Sequence, residues 1–109
     1  MTVRVPPRGL RMNGTEFAYA QILEARRRAG QVREYHYEAI TLKLAHDCRY
    51  TPDFLVVLAD GTVELHETKG RMRDDALVKL KVCVRLYPFP VRLARLVNGT
   101  WSVTEVAHA

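Results

Sequence analysis

The stretch that most constrains this chain is YTPDFLVVLADGTVELHETKG, residues 50–70. Phe54 to Leu58 is an unbroken apolar run, Ala59-Asp60-Gly61 is a turn, and Thr62 to Leu65 leads into Glu67-Thr68-Lys69. β-Branched residues on both sides of an Asp-Gly turn predict a β-hairpin. If Gly61 takes the left-handed position of a three-residue loop, Leu58 pairs with Thr62 and Asp53 falls opposite Glu67. Side chains alternate along a strand, so Lys69 joins that face one diagonal step away. The rest of the face is Leu55, Val57, Val63 and Leu65, all apolar. A bare two-residue turn pairs Asp53 with Thr68 instead and turns Glu67 and Lys69 to the other side. The apolar neighbours favour the first register. Two carboxylates and a lysine at the edge of an oily face are costly to place there unless they are used.

The remaining residues read as elements around this hairpin. Pro6, Pro7 and Gly9 exclude a helix from residues 1–12, which are expected to be a basic arm carrying Arg4, Arg8 and Arg11. Residues 13–109 are expected to form one domain. Asn13 and Glu16 have capping-box spacing ahead of a helix that ends at Gly30. Glu16 also lies in line with Tyr19, Ala20 and Leu23, the helix's apolar stripe, so a second reading aims its carboxylate at the Asp53/Glu67 rim. Glu24 lies off that line, beside Arg28. Arg26, Arg27 and Arg28 are a solvated face or, near a site, a phosphate grip. One strand is predicted over Tyr35 to Leu44, where Glu38 is either a third carboxylate for the site or a surface strand position. Ala45 to Cys48 is then the turn into the hairpin. A helix is expected from a cap at Asp74-Asp75 to about Tyr87, ended by Pro88 and Pro90. Lys79, Lys81 and Arg85 decorate it, and whichever is nearest Lys69 could meet a phosphate. Strands at Val91–Val97 and Trp101–Val106 flank an Asn98-Gly99 turn. The predicted order is αβββαβ with a short final strand, an α/β (α+β) class.

Composition narrows the partners. The chain has 109 residues, with 48% hydrophobic and 27% charged, which is ordinary for a soluble globular domain. A domain this small gains from dimerisation. A net charge of +5 favours a polyanionic partner. No apolar run approaches the roughly 20 residues of a membrane span, so no membrane partner is expected. Cys48 and Cys83 have no CxxC spacing and are expected to be reduced thiols in the cytoplasm. His36, His46, His66 and His108 show no zinc-ligand spacing with them. His66 falls on the face opposite Glu67 and is left out of the site.

Pro52-Asp53 followed after a hairpin by Glu67-Thr68-Lys69 resembles the signature of the PD-(D/E)XK nuclease superfamily. The Tyr50-x-x-Asp53-Phe54 strand and the Lys69-Gly70 step are similar to its small phage nucleases and junction-resolving endonucleases. The resemblance implies a restriction-endonuclease-like αβββαβ core with a mixed sheet between helices. It implies Asp53 and Glu67 as shared ligands of Mg²⁺, for which Mn²⁺ substitutes. The Thr68 carbonyl and Glu16 are the further ligands implied, Glu16 binding directly or through water. Lys69 orients or deprotonates the attacking water or stabilises the phosphorane. Phosphodiester hydrolysis needs an activated water and countercharge for the phosphate, which a metal held by carboxylates provides. The implied function is a phage or bacterial-host endonuclease selective for branched DNA such as Holliday junctions, acting in recombination as a homodimer. Two alternatives stay open: a nicking or single-strand-specific nuclease, and an inactive nucleic-acid-binding module. No Gln-x-x-x-Tyr follows Lys69, which makes processive exonuclease action the weaker expectation.

Overall fold

The structure, a computed structural model, describes residues 12–70 and 74–107. The expected arm falls outside them apart from Met12, as does the capping role of the Asp74 and Asp75 side chains. Helix α1 spans Gly14–Arg28 and begins with the predicted box: Asn13 accepts from the Glu16 N–H, and Glu16 accepts from the Asn13 N–H. It closes on Gly30 at φ +82°, where Gly30 N–H donates to the Arg27 carbonyl and Gln31 N–H to the Arg26 carbonyl. Those two bonds are a Schellman motif, satisfying carbonyls the helix leaves open.

The strands are β1 (Val32–Tyr37), β2 (Leu42–Ala45), β3 (Cys48–Tyr50), β4 (Phe54–Leu58), β5 (Val63–Lys69), β6 (Val91–Val97) and β7 (Thr100–Glu105); α2 spans Asp74–Leu86. Five of them form a mixed sheet in the order β1-β4-β5-β6-β7. The β5–β6 pair is parallel, because α2 carries the chain across between them, and the other pairs are antiparallel. The β6–β7 turn puts Asn98 and Gly99 both at positive φ, the two-residue geometry that matches strand twist.

The single strand expected over Tyr35 to Leu44 is instead two. β1 ends at Tyr37, opposite Phe54, and its last tie to β4 is Glu38 N–H donating to the Asp53 carbonyl at 2.9 Å. The next partner residue would be Pro52, which has no N–H to extend a ladder. Glu38 then turns the chain at φ +47°, a left-handed conformation, so it is no surface-strand position. The chain re-forms as the separate β2–β3 hairpin, and the expected turn at Ala45–Cys48 is its tip, with Asp47 at φ +57°.

The sheet separates two cores. Beneath α1 lie Tyr19, Leu23, Val32, Tyr35, Phe54, Val56 and Ala94. On the other face, α2 and the β2–β3 hairpin enclose Leu44, Tyr50, Leu65, Leu80, Cys83, Val91 and Leu93. Truncating Phe54 or Leu65, both fully buried, costs about 2–5 kcal/mol in transfer and cavity terms. No helix of the described residues is long and apolar enough to cross a membrane. Cys48 and Cys83 are free thiols.

Candidate active site

The central hairpin closes as the alternation predicts. Gly61 sits at φ +91°, Leu58 N–H donates to the Thr62 carbonyl, and Asp60 accepts from the Thr62 N–H. Phe54 faces His66, Leu55 faces Leu65 and Val57 faces Val63, so one step further Asp53 stands opposite Glu67. Pro52 leads Asp53 into β4, and Thr68 locks it there. The Thr68 N–H and hydroxyl both donate to Asp53 Oδ2, at 2.8 and 2.9 Å. Oδ1 has no donor among the described residues.

Glu67 is held as firmly. Its Oε1 accepts from the Tyr50 hydroxyl at 2.7 Å and from the Asp53 N–H at 3.3 Å, and its Oε2 lies 3.2 Å from Lys69 Nζ. Asp53 and Glu67 are only 8% and 7% exposed, whereas Lys69 reaches solvent. Burial, and then the charge of Glu67, push the Asp53 carboxyl up to about 7 against the pull of the Thr68 donors. Burial and Glu67 also raise the Tyr50 hydroxyl far above its ordinary value, so it stays protonated and keeps donating. Tyr50 thus joins the site as the donor that holds Glu67. Its signal was the Tyr50-x-x-Asp53 spacing, but only the β2–β3 hairpin turns that ring toward Glu67.

Glu16 is not drawn onto the carboxylate pair. It accepts from Asn13 N–H and, at 2.8 Å, from the Tyr37 hydroxyl, and its charge is a minor influence raising Asp53. Among the described residues no three His, Cys, Asp or Glu side chains converge to hold a metal ion. Of the expected carboxylates, Asp53 and Glu67 face each other directly, and Glu16 is bonded within its cap and to Tyr37. Two facing, buried carboxylates still suit a hard divalent cation, which takes oxygen ligands and keeps several waters. Lys69 is the one cation paired to them among the described residues.

Beside Glu67 and Lys69 opens a pocket of about 260 Å³, walled by Arg49, Tyr50 and Thr51 on one side and Ala76, Lys79 and Leu80 on the other. The arginine run of α1 does not reach it. Arg27 and Arg28 pair with Glu24, and those hydrogen bonds hold the Glu24 carboxyl down to about 2. Arg26 borders a different pocket, with Glu64, His66 and Arg92.

His66 lies on the face opposite Glu67, as the register predicts, and is 1% exposed. Its Nε2 is 2.9 Å from Glu64 Oε1 and its Nδ1 is 2.6 Å from the Tyr19 hydroxyl. An ionised carboxylate only accepts, so Nε2 carries the proton and Nδ1 receives the Tyr19 O–H. Arg92 donates to Glu64 Oε2 at 3.0 Å and reaches Glu105 at 3.1 Å. Burial lowers the His66 pKa and raises the Tyr19 hydroxyl to about 12, and the His66 bond followed by Arg92 lowers Glu64 to about 2.

Comparison of the chain with protein-family models, curated proteins and solved structures finds no match. The functional reading therefore rests on the residues of the rim.

Proposed function

We propose that this chain is a metal-dependent DNA endonuclease of the PD-(D/E)XK type, cutting phosphodiester bonds at Asp53, Glu67 and Lys69 with preference for branched DNA. One observation carries the reading. Asp53 stands opposite Glu67, with Lys69 bonded to Glu67, at the rim of an otherwise apolar sheet face. Three antiparallel strands followed by a helix and a parallel strand support a restriction-endonuclease-like core.

A bound divalent ion, Mg²⁺ or Mn²⁺, supplies Lewis-acid countercharge to the phosphoryl oxygens. Asp53 and Glu67 would hold such an ion, with the Thr68 carbonyl as a further oxygen ligand. Thr68 fixes the rotation of the Asp53 carboxylate, and Tyr50 fixes that of Glu67, so the ligand oxygens are set before substrate arrives. Lys69 is tethered at 3.2 Å yet open to solvent, placed to orient the attacking water or to meet charge that grows on the phosphate. Glu16 acts from the helix cap, through water and through its charge on Asp53. Two such chains about a two-fold axis would present paired sites to the strands of a junction.

The test is cleavage of labelled four-way junction, flap, single-stranded and linear duplex DNA with Mg²⁺ or Mn²⁺. The protein is compared with Lys69→Ala and Glu67→Ala. Metal-dependent cutting that both substitutions abolish is the expected result, with the junction cut fastest. Fastest cutting of single strands selects the single-strand nuclease instead. Tight binding without cutting under any metal overturns the enzyme in favour of a binding module.

A further inference from the structure

The pocket between β3 and α2 borders the carboxylate pair at Glu67 and the core at Tyr50 and Leu80, and its remaining wall residues have no part in either. Its position follows from the part of the fold that departs from the predicted order. Because β1 cannot extend past Pro52, the chain folds a separate hairpin against α2, with Tyr87 O–H donating to the Lys43 carbonyl at 2.6 Å. That hairpin buries Tyr50 inward and leaves Arg49, one residue earlier, exposed on the pocket wall. Across the gap, Lys79 projects from α2, and its Nζ donates to the Arg49 carbonyl at 3.3 Å. The bond joins the two walls and keeps the ammonium at the pocket. Neither Arg49 nor Lys79 has a carboxylate partner among the described residues. Lys69 and Glu67 also line the pocket.

Among the described residues the lining has three cations and one carboxylate, and a space of about 260 Å³ matches a sugar–phosphate unit and is far too small for a duplex. We propose that this pocket seats the backbone phosphate next to the one that reacts, so that Arg49 and Lys79 lead a single polynucleotide strand past Glu67 and Lys69. Arg49 offers a planar fork to two phosphate oxygens, and Lys79 adds a point charge. Tyr50 and Leu80 also line the pocket and offer a sugar apolar contact. This deepens the nuclease reading and rests on it for the neighbouring reactive phosphate, but binding in the pocket is separable from cutting.

The experiment measures the anisotropy of a fluorescent single-stranded oligodeoxynucleotide in EDTA, which removes metal-dependent cutting, over a series of salt concentrations. The protein is compared with Arg49→Ala, Lys79→Gln, the double variant and Lys81→Ala, an exposed lysine of α2 outside the pocket. Thermal melts verify that each variant is folded. The double variant is expected to bind at least tenfold more weakly, and its log–log salt slope to be shallower by about 1.4, which is two contacts at about 0.7 each. Lys81→Ala should change neither quantity. Equal weakening in Lys81→Ala, or an unchanged slope in the double variant, overturns the pocket. Cutting is then assayed separately with Mg²⁺. A double variant that binds and cuts like the original leaves the nuclease standing and removes the pocket. Binding that needs Arg49 and Lys79, with no cutting under any metal, keeps the pocket and removes the nuclease.

Discussion

Strand β5 carries two polar clusters on its two faces, and they are built to opposite ends. On the α1 face, Glu64 and His66 are closed in by Tyr19 and Arg92, with each heteroatom given a partner. On the other face, Asp53 confronts Glu67 with one lysine to share, and burial plus like charge push an aspartate up to about 7. One cluster has its charges compensated and serves stability. The other keeps an excess of negative charge that nothing in the core requires. Adjacent residues on one strand, His66 and Glu67, thus sit in opposite charge environments, because the pleat sends them to different sides.

The largest effect should come from Asp53→Asn. Asparagine keeps an oxygen for both Thr68 donors but removes the charge, so cleavage should fall by about 10³-fold, several kcal/mol of lost assistance. Thermal melting should meanwhile hold or rise, since a buried like-charge contact is gone. A large drop in melting temperature would break the contrast between the clusters.

Glu64→Leu is the mirror experiment. It leaves His66 Nε2–H without its acceptor and Arg92 with Glu105 alone, and should cost about 3 kcal/mol by chemical denaturation. Cleavage per folded molecule, measured well below the transition, should stay as it was.

The pH dependence sharpens the same contrast. Glu64 is held at about 2 in the folded state, below its ordinary value near 4.5, so the unfolded chain takes up that proton first. Its contribution is present above pH 4.5 and is lost as pH falls toward 2. In Glu64→Gln that acid limb should flatten, as read from melts across the range.

Smaller effects belong to the supports of the rim. Tyr50→Phe removes a bond to a charged group worth about 1.5–3 kcal/mol and should slow cleavage about tenfold by loosening Glu67. Thr68→Val loses one of two bonds to Asp53 and keeps the backbone one. It should cost about 1 kcal/mol, with cleavage nearly intact. Comparable losses from Thr68→Val and Tyr50→Phe would mean that the side chains do not orient the carboxylates.

Much of this arrangement was legible in the residues because it is local. The capping box at Asn13, the three-residue loop at Gly61 and the pairing of Asp53 with Glu67 each depend on neighbours a few positions away. The break after Tyr37 was not legible, since the β-formers run on through Leu44 and the chain yields only because its partner strand begins at Pro52. Tyr50 and Arg49 escaped for the same reason: both are set by a hairpin that exists only where the sheet ends. His66 was assigned to its face by alternation alone, while its partners Tyr19 and Arg92 come from remote elements and carry no local mark. Of the two readings of Glu16, the helix cap was legible because Asn13 is three residues away, whereas its bond to the Tyr37 hydroxyl comes from a remote strand.

The β5–β6 pairing has a consequence in time. Asp53 and Glu67 sit on one antiparallel hairpin whose short loop closes in microseconds in isolated examples, about 1–10 μs. The parallel partner β6 is reached only after α2 has formed and crossed the sheet, a long loop whose entropy must be spent before the strands meet. The carboxylate pair is therefore poised to assemble early, while the α2 wall of the neighbouring pocket arrives with the slowest step. During folding, the hairpin's β6-facing edge waits unpaired, and that is the interval in which this chain is most exposed to association with another copy of itself.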